Sequence, residues 1–213
     1  MTKKLYWDDR LLDHCQAQVI FKNNNRIMLD QTIAYAFSGG QESDYGSIGG
    51  YPIREAIKKE NDIIYDIGNN NLNVGDEVEV KIDIERRKKL IKLHSLGDIV
   101  LQIIIKKIPD MDEHRIGAHV SEDKVRIDFN IDFNISSLFP YIQDELKKLR
   151  EDNLAMEFGF IDESKGIRYW TLPGYPHTPC GGTHIKRTSE LNEVILKRKN
   201  IGKNKERIEM SFI

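Results

Sequence analysis

One stretch of the chain, residues 83–109, reads DIERRKKLIKLHSLGDIVLQIIIKKIP. Apolar residues recur at helical spacing at Ile84, Ile91, Leu101 and Ile105. The pattern ends before Pro109. The sequence therefore predicts one long helix. His94 and Asp98 are four residues apart and project from the face that also carries Ile91, so we expect both side chains to point at least partly inward.

The segment before this helix has the pattern of a small β-barrel. Residues 16–21 and 26–29 flank a turn of three asparagines, and residues 62–67 and 77–82 alternate apolar and polar side chains. A segment with five glycines, residues 38–50, lies between these pairs. Short strands, tight turns and almost no helical period predict an N-terminal β-barrel domain over residues 1–82.

The segment after residue 82 mixes strands with helices. A hairpin is predicted over 118–129, and Ser136 or Ser137 is predicted to cap a second helix with an apolar stripe. Further strands are predicted at 167–170, 194–199 and 207–212. We therefore expect an α+β fold: a small N-terminal β-barrel, then a second domain over 83–213 with an antiparallel sheet and a long helix.

Composition excludes several classes of protein. Hydrophobic residues make up 39% and charged residues 31% of the 213, which is typical of a globular chain and not of a disordered one. No run approaches the roughly 18 apolar residues of a membrane helix. Two distant cysteines cannot form a disulfide framework, and the first residues lack the apolar core of a secretory signal. We expect a cytoplasmic protein with no membrane partner.

Basic residues concentrate near the end of the sequence. Between Lys186 and Arg207 eight basic residues stand against three acids, so this segment carries +5 while the net charge of −2 leaves −7 for the rest. Such a patch is typical of polyanion binding, and a charge run is equally typical of a solvated hairpin. The candidate polyanion-binding residues are Lys186, Arg187, Lys197, Arg198, Lys199, Lys203, Lys205 and Arg207.

A loop near residue 180 combines two metal-binding side chains. Residues 177–184 read HTPCGGTH, and Cys180 as thiolate and His184 as neutral imidazole can reach one ion. Alone, this pair is better explained by a buried cysteine and a surface histidine. His94 and Asp98 on the helix offer the other half of a tetrahedral set, so the four residues together predict one zinc site.

These motifs, taken together, resemble a known family. Residues 179–184, followed by a strand and a basic hairpin that ends GKNKERI at 202–208, resemble the editing domain of alanyl-tRNA synthetases. Residues 5–8 (LYWD) and 38–46 (SGGQESDYG) resemble the free-standing relatives, the AlaX trans-editing proteins. The resemblance spans nearly the whole chain, and nothing in it supplies an ATP-binding aminoacylation core.

The resemblance implies an aminoacyl-tRNA hydrolase that works without ATP in translation. Its substrates would be serine and glycine mischarged on tRNA(Ala), with one Zn²⁺ in the four-residue site and tRNA as the polyanion. Editing is needed where two amino acids differ by one methylene or hydroxyl group, because this difference changes their binding free energy too little for a synthetase to discriminate between them. We expect Gly39, Gly40 and Gln41 near the substrate, with Thr32 as a sensor of the serine hydroxyl; the alternative is a barrel turn without substrate contact.

The chain departs from the family pattern in two places. The family's helix carries two histidines four residues apart, whereas this chain has Asp98 in the second position, and Ser38 stands where glycine is usual. Aspartate can bind zinc at similar distances, and His177 is an alternative ligand. The departure leaves two other hypotheses open: a catalytically weakened tRNA-binding relative, and an editing hydrolase for another mischarged tRNA of the threonyl type. The Gly-rich segment favours the alanine branch.

Overall fold

A computed structural model describes residues 2–213, and within them it contains sixteen strands, two α-helices and three 3-10 helices. The first nine strands are β1 (Lys3–Lys4), β2 (His14–Asn23), β3 (Arg26–Leu29), β4 (Gln31–Thr32), β5 (Gly46–Ile48), β6 (Tyr51–Pro52), β7 (Glu55–Lys59), β8 (Asp62–Asp66) and β9 (Glu77–Ile82). The remaining strands are β10 (Arg115–Val120), β11 (Val125–Asn130), β12 (Glu157–Asp162), β13 (Ile167–Thr171), β14 (Thr178–Pro179), β15 (Val194–Gly202) and β16 (Lys205–Phe212). The helices are α1 (Ile84–Lys107) and α2 (Phe139–Asp152), and the 3-10 helices are Leu5–Trp7, Ile135–Leu138 and Thr188–Glu190. The predicted α+β class is confirmed.

The chain divides into two compact units, Met1–Lys89 and Leu90–Ile213. The division falls inside α1, while the sequence pattern changes from strand to helix after residue 82. No helix within residues 2–213 has the length and apolar character needed to cross a membrane.

The first unit is built on a seven-stranded antiparallel sheet that curls into a half-barrel. Its strand order is β6-β5-β9-β2-β3-β8-β7, and β1 pairs with β4 beside it. Alternate side chains of the long strands, such as Val19, Ile27 and Tyr65, are fully buried and form the core. At the start of α1, Arg87 is also fully buried, where it donates to both carboxylate oxygens of Asp44.

The second unit contains two antiparallel sheets, the rest of α1, and α2. One sheet has the order β10-β11-β16-β15 and the other the order β12-β13-β14. The apolar stripe of α2 is buried as the sequence predicts, at Ile142, Leu146 and Leu149. These residues join one core that includes Leu96 of α1, Phe129 of β11 and Trp170 of β13.

Two local features differ from the sequence expectations. No serine caps α2: Asn134 caps the 3-10 turn Ile135–Leu138 that precedes the helix, where its Oδ1 accepts a bond from the Ser136 backbone N–H at 2.9 Å, and Leu138 stands at the start of α2 without a side-chain cap. The sequence does not predict β7, β12 or the five strands of two or three residues, which are β1, β4, β5, β6 and β14. Strand β12 is largely exposed and lacks a clean alternation of burial.

Candidate metal centre

Helix α1 supplies two of the four candidate ligands, and its neighbours fix where they lie. His94 and Asp98 are one helical turn apart, so they share a face. Between them, Gly97 lies against β11: a Cβ at this position would be 2.7 Å from Val125 Cγ2. Because only glycine allows this approach, the helix packs close to the sheet and presents His94 from a buried position, at 2% exposure.

The loop after β14 supplies the other two ligands and is hydrogen-bonded both to β13 and to α1. The Cys180 N–H donates to the Arg168 carbonyl at 2.9 Å, and the Ile185 N–H donates to Ser95 Oγ at 2.9 Å. Gly182 touches the His94 ring so closely that an added Cβ would be 2.4 Å from Cε1. A glycine is therefore required for the loop to approach the helix, and the bend brings Cys180 and His184 to the same place.

The metal-ligand cluster, meaning His94, Asp98, Cys180 and His184, brings four donor atoms within 4.8 Å of one another. His94 Nε2 lies 3.1 Å from Cys180 Sγ, and His184 Nε2 lies 3.0 Å from Asp98 Oδ2. The two imidazole rings are 4.7 Å apart and nearly perpendicular, at 79°. Each of these two contacts joins residues that are 86 positions apart in the sequence, so two distant segments of the chain meet at one point.

The donor set fits a zinc ion. Ligands bound at about 2.0–2.3 Å in a tetrahedron lie roughly 3–4 Å from one another, which is the range of the closest distances in the cluster. A thiolate, two imidazoles and a carboxylate are all zinc ligands. His94 Nδ1 is buried and has no hydrogen-bond partner among residues 2–213, so the polar contacts of this ring run through Nε2, on the side of the cluster.

The charges of the cluster favour the thiolate form of Cys180 and the carboxylate form of Asp98, which are the forms that bind a metal ion. Burial and Asp98 raise the pKa of Cys180, but His94 and His184 outweigh them and lower it to about 7. Burial also opposes ionisation of Asp98, yet the two histidines hold its pKa well below its ordinary value. For His94, burial lowers the pKa, and the stronger combined effect of Cys180 and Asp98 raises it. A thiolate is therefore accessible near neutral pH.

Trp170 is a neighbour of the metal-ligand cluster that the sequence did not reveal. Its Nε1–H donates to Asp98 Oδ2 at 2.9 Å, and its side chain is fully buried. The same carboxylate oxygen lies 3.0 Å from His184 Nε2, so Asp98 is oriented from both sides. In the sequence Trp170 looks like an ordinary core residue, and only the register of the β12–β13–β14 sheet places it beside the helix.

The other residues singled out from the sequence are not members of the metal-ligand cluster. His177 is outside the cluster, where its ring stacks on Tyr169 at 4.1 Å and 9°. Thr32 and the Gly-rich segment belong to the first unit, and Thr32 Oγ1 lies 2.8 Å from Tyr65 Oη. The contact of this segment with a substrate stays a prediction.

The Gly-rich segment folds into a tight turn. Gly39 and Gly40 both have positive φ, at 58° and 82°. The turn is closed by two backbone bonds between Ser38 and Gln41, at 3.0 and 3.3 Å, and Gln41 is fully buried. The glycines are thus explained by backbone conformation, and the backbone amides of the turn and the side-chain amide of Gln41 remain the predicted substrate contacts.

The basic hairpin, meaning β15 and β16 with their connecting turn, carries several of the basic residues predicted to bind a polyanion. Arg198 donates two bonds to the buried Glu206, at 2.5 and 2.6 Å, and Arg207 donates two bonds to Asp128, at 2.7 and 2.9 Å. Lys199 lies 3.0 Å from Glu209. Arg187 bonds to Asn153, and the remaining residues are exposed lysines, Lys186, Lys197, Lys203 and Lys205. Their role in RNA binding stays a prediction.

Comparison with known proteins gives this geometry a context. Residues 168–209 match the domain family described as the threonyl and alanyl tRNA synthetase second additional domain. That stretch includes Cys180, His184 and most of the basic hairpin. The class that this match indicates is that of the accessory domains of threonyl and alanyl tRNA synthetases.

Full-length relatives narrow the class. An alanyl-tRNA editing protein AlaX-M of Pyrococcus horikoshii is 30% identical over 221 residues, covering 99% of this chain and 97% of the relative. AlaX-M of Methanosarcina barkeri is 28% identical, with 100% of both chains covered. An alanine–tRNA ligase of Acaryochloris marina is 31% identical over 191 residues, which are 78% of this chain and 22% of the ligase. The chain belongs to the family of alanyl-tRNA editing proteins.

Proposed function

We propose that the protein is a trans-editing hydrolase that deacylates tRNA(Ala) mischarged with serine or glycine, and that it holds one zinc ion in the metal-ligand cluster. The observation that carries this proposal is the convergence of four donor atoms from α1 and the 180–184 loop within 4.8 Å. Its family membership supports the alanyl-tRNA substrate. The absence of disulfides at Cys15 and Cys180 supports action in the cytoplasm.

The chain's own residues would prepare the site. Cys180, His184 and His94 would bind zinc through sulfur and Nε2, and Asp98 would be held in place by the Trp170 N–H. When bound, zinc supplies a Lewis acid that polarises a carbonyl or activates water. Burial of both histidines excludes bulk water from the inner side of the site and strengthens electrostatic interactions with an ester oxygen.

Two measurements test the proposal together. Zinc content of the purified protein is expected to be one per chain, and Ser-tRNA(Ala) and Gly-tRNA(Ala) are expected to be hydrolysed while Ala-tRNA(Ala) is spared. Absence of zinc, with no activity gained when zinc is added to apoprotein, would contradict the zinc site.

Two alternatives give different results in the same assays. A weakened tRNA-binding relative, motivated by Asp98 in place of a histidine, would bind tRNA(Ala) without hydrolysing any ester. A threonyl-type editor would hydrolyse Ser-tRNA(Thr) in preference to Ser-tRNA(Ala); the matched domain family includes both kinds of synthetase.

A further inference from the structure

Two phenylalanines on β12 form an exposed surface that continues from the metal-ligand cluster. Phe158 pairs with Trp170 in the β12–β13 register and Phe160 pairs with Arg168, so all four side chains lie on one face of this sheet. Trp170 is fully buried beside Asp98, whereas Phe158 and Phe160 are 38% and 41% exposed. The face therefore leads outward from the cluster to the surface.

The contacts along this face are continuous. The Phe158 ring lies 5.8 Å from the His184 ring, between the cluster and the outer residues. The Arg168 guanidinium carbon is 5.9 Å from the centre of the Phe158 ring and 5.5 Å from that of Phe160. We call Phe158, Phe160 and Arg168 the aromatic wall. A cation placed between two rings of partial exposure is the combination that nucleic-acid-binding surfaces use for stacking and charge.

On the opposite face of the same hairpin, the aromatic side chains cover one another and the backbone. The Tyr169 ring lies across Gly159, where an added Cβ would be 2.6 Å from Tyr169 Oη, and His177 stacks on Tyr169. Only the face shared with Trp170 thus presents open aromatic rings next to the candidate ligands. Singly exposed apolar residues need no explanation, but two rings with a guanidinium between them, in line with a metal-ligand cluster, do.

We infer that the aromatic wall binds the unpaired base at the 3′ end of tRNA by stacking, with Arg168 attracting the adjoining phosphate. This inference rests on the proposed function, which brings the ester of the terminal ribose to the cluster. The base attached to that ribose is then the next group outward, and the wall is the aromatic surface next to the cluster on that face. Stacking recognises any base by its π-face, so the wall would hold the nucleotide without reading the tRNA's identity.

The test is a double-mutant cycle between the protein and the RNA. Dissociation constants are measured for uncharged tRNA(Ala), with and without its terminal adenosine, against the wild type and Phe160→Leu. Phe160 is chosen because Phe158 contacts a candidate ligand. The wild type is expected to lose about tenfold in affinity when the adenosine is removed, and Phe160→Leu less than about threefold, because leucine keeps apolar volume without a π-face.

Controls separate stacking from damage to the fold. Phe160→Tyr is expected to restore the wild-type sensitivity, and Ile161→Ala, at a neighbouring residue that is 55% exposed, is expected to leave it unchanged. Zinc content should be equal in all variants. The inference is overturned if wild type and Phe160→Leu lose the same affinity, if the wild type does not distinguish the two RNAs, or if it binds neither.

The outcome is distinguishable from that of the proposed function. Hydrolysis of mischarged tRNA without coupling in the cycle would reject the aromatic wall and keep the hydrolase. Coupling without hydrolysis would reject the hydrolase and keep a wall that binds the RNA end. Binding of a protein in place of RNA would appear as wild-type insensitivity to the terminal adenosine, which is among the overturning results.

Discussion

The metal-ligand cluster and the basic hairpin both concentrate charge in the second unit, but they do so in different ways. In the cluster, two buried histidines face the half-buried carboxylate of Asp98 at 3.0–3.5 Å. On the hairpin, exposed basic side chains form ion pairs with acidic side chains nearby. Lys199 pairs with Glu209, and their side chains are 53% and 8% exposed. A largely buried cluster of mutually dependent charges should be disrupted as a whole when one member is changed, whereas exposed ion pairs should be lost one at a time.

The largest expected effect is the loss of metal on Cys180→Ala. Thiolate is the strongest zinc donor of the set, so removal should cost more than the roughly 10–100-fold that outer-shell partners contribute. Zinc content after dialysis against a weak chelator measures it. Cys15→Ala is the matched control, because Cys15 is the other free cysteine and lies in β2 of the first unit. Equal zinc content in both variants would contradict the expectation that the cluster fails as a whole, since it would then tolerate the loss of one ligand just as the hairpin tolerates the loss of one ion pair.

The next effect concerns Asp98 and Trp170 as a pair. Ligand spacing alone predicts that Asp98→His binds metal as tightly as the wild type or more tightly. The structure changes this expectation, because the N–H of the buried Trp170 would lose its acceptor at a cost of about 1–3 kcal/mol. We expect Asp98→His to bind zinc more weakly than the wild type, and Asp98→His with Trp170→Phe to recover at least part of the loss.

The control for this pair is Trp170→Phe alone, which is expected to weaken zinc binding about tenfold through Asp98, with Tm reporting any loss of core packing. Titration of apoprotein with zinc measures all three variants. If Asp98→His binds more tightly than wild type, Trp170 does not orient the ligand.

A smaller effect is expected inside the hairpin. The two bonds from Arg198 lower the pKa of Glu206, although burial opposes this. A carboxylate with a lowered folded pKa stabilises the protein above its ordinary value of 4.5, and this contribution disappears as pH falls through the folded pKa. Glu206→Gln should therefore reduce the free energy of unfolding by about 1 kcal/mol at pH 7, and the difference should shrink below pH 4.5.

Urea unfolding at several pH values measures this effect. Glu193→Gln, an exposed glutamate in the same segment, should differ little from the wild type at any pH. A deficit of Glu206→Gln that is constant with pH would show that lost packing, and not the ion pair, is responsible.

The two regions also differ in how far the sequence could predict them. The four-residue spacings of His94 with Asp98 and of Cys180 with His184 are local, and each motif is readable without a structure. The long helix and most strands follow from periodicity. Trp170 and the aromatic wall depend on the β12–β13 register, and the pairing of Arg207 with Asp128 depends on β11 lying beside β16. Such contacts join residues far apart in sequence, and no local pattern specifies them.

The smallest expected effect is on RNA binding by the exposed lysines of the hairpin. Because Arg198 and Lys199 have acidic partners, their removal would mix RNA binding with stability. Lys197, Lys203 and Lys205 are exposed, so their joint change to alanine should leave the fold intact and weaken tRNA binding several-fold. Each lost phosphate contact should flatten the plot of log affinity against log salt by about 0.9. Changing Lys58, Lys59 and Lys147 removes the same charge elsewhere and should alter the slope less, since net charge alone is not a contact. Equal slopes in the two triple variants would mean that the hairpin lysines are only solvated.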